Sequence, residues 1–217
     1  RAQKNLPGGV LWIERNGVHF TEAYGKASVE PIHTAAQPYT IYDAASLTKV
    51  IATTPAVMLL HERSKLRLDD AVKKHLPKFT GDGRNAITIA HLLTHTSGLR
   101  PDISVKGWNG HAECIAKCIA EKPRAKPGEK FIYSDINFQL LDEIVRRVSG
   151  QRLDAFCAKE IFEPLGMADT GYNPPAAKHP RVAPTTATDG VALRGIVHDP
   201  RARKTDGVAG HAGLFTT

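Results

Sequence analysis

The feature that most constrains this chain is a serine at the head of a long apolar run. Residues 39–42 have the composition of an extended segment, and the apolar positions between 47 and 60 recur with helical spacing. Ser46 lies between the two, so the sequence predicts that it occupies the first turn of a buried helix. At such a position the free N–H groups and the positive end of the helix dipole stabilise developing negative charge.

Lys49 follows Ser46 by three residues and therefore lies above the same face of the helix. A serine hydroxyl becomes a good nucleophile when a base removes its proton, and a desolvated lysine amine can be that base. The S-x-x-K spacing therefore predicts a catalytic pair. The alternative is that Ser46 is an ordinary helix N-cap and Lys49 an exposed charge, and these residues alone leave that alternative open.

Composition and charge argue against several classes of function. The chain has 217 residues and a formal net charge of +7, but its tight basic cluster, residues 201–204, contains no aromatic residues and does not predict nucleic-acid binding. Residues 53–55 (TTP) interrupt the longest apolar stretch, so the sequence predicts no membrane span. The chain has an odd number of cysteines, namely Cys114, Cys118 and Cys157, and these imply no disulfide framework. No signal peptide is recognised, and the compartment, cytoplasmic or periplasmic and secreted, stays open.

Turn signals and hydrophobic periodicity divide the chain into an N-terminal hairpin and a helical middle. Asn16 and Gly17 join two apolar runs, which predicts two antiparallel strands over residues 9–25. Residues 136–148 form the clearest amphipathic helix, and shorter helices are predicted on both sides of it. After residue 164 the sequence is rich in Gly, Pro, Thr and Asp, which predicts ordered loops with a few short strands.

A second chemical candidate lies directly before the central helix. Tyr133 ends the extended residues 130–133 at a turn, where its phenol can face a cleft, and a tyrosine beside a lysine can shuttle a proton. The alternative is a half-buried aromatic residue. His91 and His95 stand four residues apart, a spacing that can hold zinc, but no further cluster of metal ligands accompanies them. We therefore predict no metal site.

Together these segments resemble those of the serine β-lactamase and penicillin-binding protein family, in its branch of class C β-lactamases, D-alanyl-D-alanine carboxypeptidases and carboxylesterases. Residues 46–49 (SLTK) resemble the nucleophile motif of that family, and residues 133–135 (YSD) resemble its Tyr-x-Asn motif. Other similar segments follow in the same order as in the family, namely 92–99 (LLTHTSGL), 127–131 (PGEKF), 164–167 (PLGM) and 210–215 (GHAGLF). The resemblance covers nearly the whole chain.

The resemblance implies an α/β (α+β) fold of the β-lactamase/transpeptidase-like type, with an antiparallel sheet flanked by helices, a helical lobe, and the site between them. Residues 1–60 would be the N-terminal part of the α/β lobe, including the nucleophile helix. Residues 61–217 would be mostly the helical lobe with a loop-rich C-terminal stretch. The family's third motif, Lys or His followed by Thr or Ser and Gly, is not recognised. We expect it to lie beyond residue 217 with the C-terminal strands and helix, which would favour self-association or a missing C-terminal half.

The resemblance also implies the roles of the site residues. Ser46 would be the acylated nucleophile, Lys49 its first proton partner, and Tyr133 the acid and base that serves attack and leaving group. No cofactor is implied. Expected substrates are a small-molecule ester, a β-lactam or a peptide, and the expected activity is that of a serine hydrolase working through an acyl-enzyme.

Asp135 departs from the family pattern, which has an asparagine there. An amide can donate a hydrogen bond to a substrate carbonyl, whereas a carboxylate only accepts, so we favour an ester substrate over a β-lactam or peptide. Asn137 is the other candidate for a substrate-binding amide, although its offset differs from the motif. The alternative from another class is a catalytically inactive relative that binds peptidoglycan fragments or a partner protein.

Overall fold

The computed structural model of the protein describes residues 6–30, 32–186 and 189–217. Most buried apolar side chains form one large cluster among the helices, and a smaller cluster lies near the C-terminal strands. Within the described ranges, no helix combines the length and the apolar character that crossing a lipid bilayer requires. The position of the large cluster explains why the site residues that border it are held firmly in place.

The N-terminal residues form the predicted hairpin. Strand β1 (Gly8–Arg15) pairs antiparallel with β2 (Val18–Ser28), and β3 (Thr34–Ala35) pairs with the end of β2. Asn16 and Gly17 connect the first two strands with φ angles of 54° and 77°. These left-handed angles are the ones that an Asn-Gly hairpin turn requires, so the hairpin prediction is confirmed.

The hairpin carries its apolar side chains into solvent. Trp12 on one face of the hairpin and Val18 and Phe20 on the other are all exposed, although large apolar side chains on a strand normally pack on a core. Both faces of the hairpin are therefore open.

The helix that bears Ser46 changes its winding along its length. It starts with a tight 3-10 turn (Ala45–Leu47), continues as a wider π-helical segment (Lys49–Thr53), and ends as α1 (Thr54–Glu62). Ser46 thus lies in the first turn, as predicted. A π-helical segment inside a helix is uncommon and often marks a functional site.

The helical lobe is arranged around one central helix, α5, which contacts α1, α3, α4 and α6. The helix that the sequence predicted over residues 136–148 is present, and every residue from 136 to 145 is buried, so this part of the helix is enclosed on all sides. The sequence did not predict that its polar face would be enclosed as well. The lobe comprises α2 (Val72–His75), α3 (Ile89–Leu93), α4 (Gly110–Ala120), α5 (Asp135–Ser149), α6 (Leu153–Cys157) and the π-helical Ala158–Phe162.

The C-terminal residues return to the helix that bears Ser46. A small antiparallel sheet has the order β4 (Tyr42–Asp43), β8 (Leu214–Thr216), β5 (Gly171–Tyr172). At its edge the Leu214 N–H donates to Thr48 Oγ1, and the Ala44 N–H donates to the Leu214 carbonyl. This sheet therefore fixes residues 210–213 beside Lys49. The same region contains β6 (Thr185–Thr186), β7 (Ala192–Leu193) and the short helix α7 (Pro200–Lys204).

Candidate active site

Ser46 and Lys49 are in direct contact. Lys49 is 3% exposed, and its Nζ donates to Ser46 Oγ at 3.1 Å and to the His211 carbonyl at 3.1 Å. Its third oxygen neighbour is Asp135 Oδ1 at 2.7 Å. The first two contacts are hydrogen bonds, whereas the third is an ion pair in which Asp135 Oδ1 accepts no hydrogen bond. The sequence interpretation of Lys49 as an exposed charge is therefore wrong.

The turn before Ser46 is held in a conformation that is rare for its residue type. Ala45 has φ of +45°, in the left-handed region that non-glycine residues seldom adopt. The Asp43 carboxylate accepts from the Ala45 N–H at 2.8 Å and from the His198 N–H at 2.7 Å. Strained residues of this kind cluster at functional sites, where the surrounding structure maintains them. Asp43 is a contributor that the sequence patterns did not reveal.

Tyr133 joins the same group of side chains. Its ring centroid lies 4.8 Å from Lys49 Nζ, and the His95 ring stacks on it with a centroid distance of 4.4 Å. Tyr133 is 44% exposed, so its phenol is open to solvent while one ring face is covered. The sequence related Tyr133 to Lys49 only through the family resemblance. In the structure the Lys49 ammonium lies against the Tyr133 ring.

His95 serves as a neutral support for Tyr133. Burial, and then the charge of Lys49, lower the pKa of His95. Its Nδ1 accepts a hydrogen bond from the Ser134 N–H at 3.0 Å, which leaves the proton on Nε2. Its neighbour in the sequence pattern, His91, is used differently, in a capping box with Thr88 at the start of α3.

Asp135 begins α5, where the helix dipole favours a carboxylate, and it lines a cleft together with Ser46. It also affects a neighbouring acid. Burial raises the pKa of Asp102 to about 6; Arg201 opposes this rise, and the negative charge of Asp135 adds to it. Asp135 is thus a charged group of the cleft that faces both the ammonium of Lys49 and any molecule bound beside Ser46.

The structure does not support the expected substrate-binding role of Asn137. Asn137 is completely buried, and its Oδ1 accepts a hydrogen bond from Ser97 Oγ at 2.7 Å. Two residues beyond Asp135 on a helix, its side chain points about 200° away around the helix axis and does not line the cleft. Asn137 therefore joins α5 to the loop after α3, where Ser97 is equally buried.

The cleft has a volume of about 110 Å³ and is lined partly by a segment that the motifs did not single out for chemistry. His211 Nε2 lies 3.1 Å from Asp199 Oδ1. Burial by itself would raise the pKa of Asp199, but hydrogen bonds from His211 and from the N-terminus of α7 outweigh it and lower that pKa. The His211 carbonyl and side chain thus tie Lys49 to α7. Among the described residues, no cluster of three metal-binding side chains is present.

Comparison with known proteins gives a consistent family assignment. The family model described as Beta-lactamase matches residues 1–217. A protein of Escherichia coli (strain K12), provisionally named D-alanyl-D-alanine carboxypeptidase, is 34% identical over 95% of this chain and 56% of its own length. Protein flp of Staphylococcus aureus (strain COL) is 35% identical over 77% of this chain and 35% of its own length. The chain therefore spans little more than half of the first relative.

Solved structures show the same fold. A class C β-lactamase superposes with a TM-score of 0.84 and 23% identity, over 100% of this chain and 57% of that protein. An octameric penicillin-binding protein homologue from Pyrococcus abyssi gives a TM-score of 0.77 and 27% identity, over 100% of this chain and 51% of that protein. The β-lactamase-like fold implied by the sequence resemblance is confirmed.

Proposed function

Because the chain belongs to the Beta-lactamase family, we propose that it is a serine hydrolase that works through an acyl-enzyme on Ser46. The observation that carries this proposal is the 3.1 Å contact between Ser46 Oγ and the buried ammonium of Lys49. The serine is also open to a cleft, so a substrate carbonyl can reach it. A merely structural serine and lysine at a helix start would have no reason to be placed in this way.

In the acylation step, Ser46 Oγ attacks the carbonyl carbon of the substrate and the bond to the leaving group breaks. The hydroxyl proton passes to a base and then to the departing oxygen or nitrogen. The Ser46 N–H, at the free start of its helix, supports the oxyanion that forms in between. Water then attacks the acyl group and regenerates the Ser46 hydroxyl.

Lys49 and Tyr133 divide the proton chemistry. Lys49 acts through its hydrogen bond to Ser46, which orients the hydroxyl, and through its ion pair with Asp135, which holds the amine in place. Tyr133 is the group that exchanges the proton, because its phenol is accessible and the nearby ammonium stabilises negative charge on it during transfer.

We propose an ester as the favoured substrate. Amide and β-lactam substrates need a hydrogen-bond donor to a substrate carbonyl beside Ser46. Asp135 instead presents a carboxylate, which only accepts hydrogen bonds. An ester with a good leaving group depends less on such a donor. A peptide ending in D-alanyl-D-alanine is the second candidate, because the relative from Escherichia coli is named for that activity.

The test compares three substrates on the purified protein: a short-chain p-nitrophenyl ester, a chromogenic cephalosporin and a peptide ending in D-alanyl-D-alanine. We expect the ester to be hydrolysed fastest and Ser46→Ala to abolish that turnover. Ser97→Ala is the matched control, because it removes a buried serine outside the cleft. Binding of peptidoglycan fragments without any turnover would favour the inactive alternative instead.

A further inference from the structure

A cavity of about 250 Å³ borders α5 about two helical turns beyond Asp135, the residue of α5 that lines the Ser46 cleft. It is formed by the start of α4, the later turns of α5, the start of α6 and residues 205–208 after α7. Among the described residues, none lines both this cavity and the cleft. Its volume falls just below the range of roughly 300–1,000 Å³ that suits drug-sized ligands, so it fits a smaller molecule.

A buried carboxylate forms the inner wall of this cavity. Asp142 is 5% exposed, and its nearest cation is His111 Nδ1, 3.9 Å from its Oδ2. Within the described ranges, no group donates a hydrogen bond to it at normal distance. Burial raises the pKa of Asp142 to about 6, so the group is still mostly ionised at neutral pH. The ion-pair contact with His111 is longer than a hydrogen bond, so this buried carboxylate lacks the hydrogen-bond donors that such groups usually have.

Glu143, the next residue of α5, is a carboxylate in the same region that has its full set of partners. Glu143 contacts His111 Nε2 at 3.1 Å, Arg147 Nε at 2.6 Å and Arg146 Nη1 at 3.3 Å. Burial would raise its pKa, but these partners outweigh that effect and lower the pKa to about 2. The fold therefore neutralises Glu143 and leaves Asp142 facing the cavity.

Positive charge lies at the outer side of the same cavity. Arg146 follows Asp142 by one turn of α5, and Arg152 precedes α6; both line the cavity and both are substantially exposed. Each uses only part of its guanidinium, Arg146 on Glu143 and Arg152 on Asp154. Five N–H donors per guanidinium leave several free for a second anion. Leu153 and Val208 supply buried apolar surface between the two charged zones.

We propose that this cavity binds a free α-amino acid, with its ammonium group on Asp142 and its carboxylate on Arg146 and Arg152. The ammonium supplies the donors that Asp142 lacks, and the carboxylate matches the planar donors of the guanidinium groups. The volume and the apolar wall admit a small side chain. This inference does not depend on the proposed hydrolase activity.

Calorimetric titration of the intact protein with L-alanine and D-alanine tests the inference. We expect at least one enantiomer to bind saturably, with a dissociation constant on the order of 1 mM or tighter. Ethylamine lacks the carboxylate and propionate lacks the ammonium, so each should bind at least about tenfold more weakly. Absence of saturable binding by both alanine enantiomers would overturn the inference, as would equal affinity for either truncated probe.

Variants assign the binding to this cavity. Asp142→Asn keeps the shape of the side chain and removes a buried charge that accepts no hydrogen bond, so it should fold and weaken alanine binding at least about tenfold. Arg146→Gln should weaken it similarly. Arg147→Gln is the matched control, because Arg147 follows Arg146 and contacts Glu143 but does not line the cavity; it should change the affinity less than about twofold. Unchanged binding by Asp142→Asn would overturn the proposal.

Discussion

Two lysine–aspartate ion pairs have nearly the same N–O distance but lie in different surroundings. Lys49 Nζ lies 2.7 Å from Asp135 Oδ1, and Lys74 Nζ lies 2.6 Å from Asp70 Oδ1. Lys74 is 58% exposed, on the surface of α2, whereas Lys49 is 3% exposed at the base of a cleft. Contact distance alone therefore does not distinguish an active-site pair from a structural one.

The difference lies in the other partners of each pair. The Asp70 carboxylate also accepts from the Arg67 N–H at 2.9 Å and contacts His75 Nε2 at 3.0 Å, so it ties a loop to α2. The site lysine instead shares its donors with the nucleophile and a carboxylate that faces the cleft. A lysine becomes chemically useful when it is buried, fixed by several oxygens, and next to a group that a substrate can reach.

The largest effect should come from replacing the two lysines with methionine. Lys49→Met removes the ammonium that contacts Ser46 and leaves Asp135 without its cation, so kcat/KM for a p-nitrophenyl ester should fall roughly a thousandfold. Lys74→Met should leave kcat/KM within about twofold, because Lys74 lies on the surface of α2 and does not line the cleft. Steady-state kinetics on both variants makes the comparison, and equal losses would show that the two pairs do not differ in function.

Replacing tyrosines provides the next largest effect. Tyr133→Phe keeps the ring that stacks on His95 and removes the phenol oxygen, so kcat should fall about a hundredfold while the melting temperature changes little. Tyr24→Phe, on the exposed hairpin, is the control and should behave like the wild type. A Tyr133→Phe enzyme with unchanged kcat would assign the proton transfer to another group.

We expect changes in the Lys74–Asp70 pair to alter the free energy of unfolding rather than the catalytic activity. Burial would raise the pKa of Asp70, but its hydrogen bonds outweigh this and lower the pKa from 3.8 to about 2. The ionised carboxylate thus stabilises the fold at pH above 4, and this contribution, about 2 kcal/mol, disappears as the pH falls from 4 to 2. Asp70→Asn should lose that amount at pH 7 and show a weaker acid dependence in urea unfolding. Asp69→Asn, on an exposed neighbour, should lose almost nothing.

The smallest effect concerns substrate choice. Asp135→Asn keeps an oxygen near Lys49 and adds an N–H donor to the cleft, so ester turnover should change less than about tenfold. The ratio of cephalosporin to ester turnover should rise, because the amide can donate to the substrate carbonyl. The two rates are measured on one sample, which removes errors in active concentration. An unchanged ratio would mean that Asp135 does not set the preference.

The sequence predicted what depends on local signals. The Asn16-Gly17 turn was correctly predicted to connect two antiparallel strands, and Ser46 lies in the first turn of its own helix as predicted. Contacts between distant residues gave no such signal. Lys49 donates to the carbonyl of His211, which is 162 positions away in the sequence. Every residue has a backbone carbonyl, so the residue type at 211 does not indicate this contact.

The role of Asn137 could not be predicted for a related reason. Periodicity assigns one face of a helix to the core and the other to solvent. Residues 136–145 of α5 are enclosed on every side, so Asn137 is buried and its Oδ1 accepts from Ser97 rather than facing a cleft. Periodicity gives no sign of this, because the enclosure comes from elements that are distant in the sequence.

Mass spectrometry of the protein after treatment with a fluorophosphonate tests the central claim most directly. Such a reagent bonds to an activated serine hydroxyl, so we expect one adduct, located by peptide mapping on Ser46. The Lys49→Met variant should react far more slowly, and Lys74→Met should react like the wild type. An adduct on another serine, or equal labelling of the two lysine variants, would contradict the assignment of Ser46 and Lys49 as the catalytic pair.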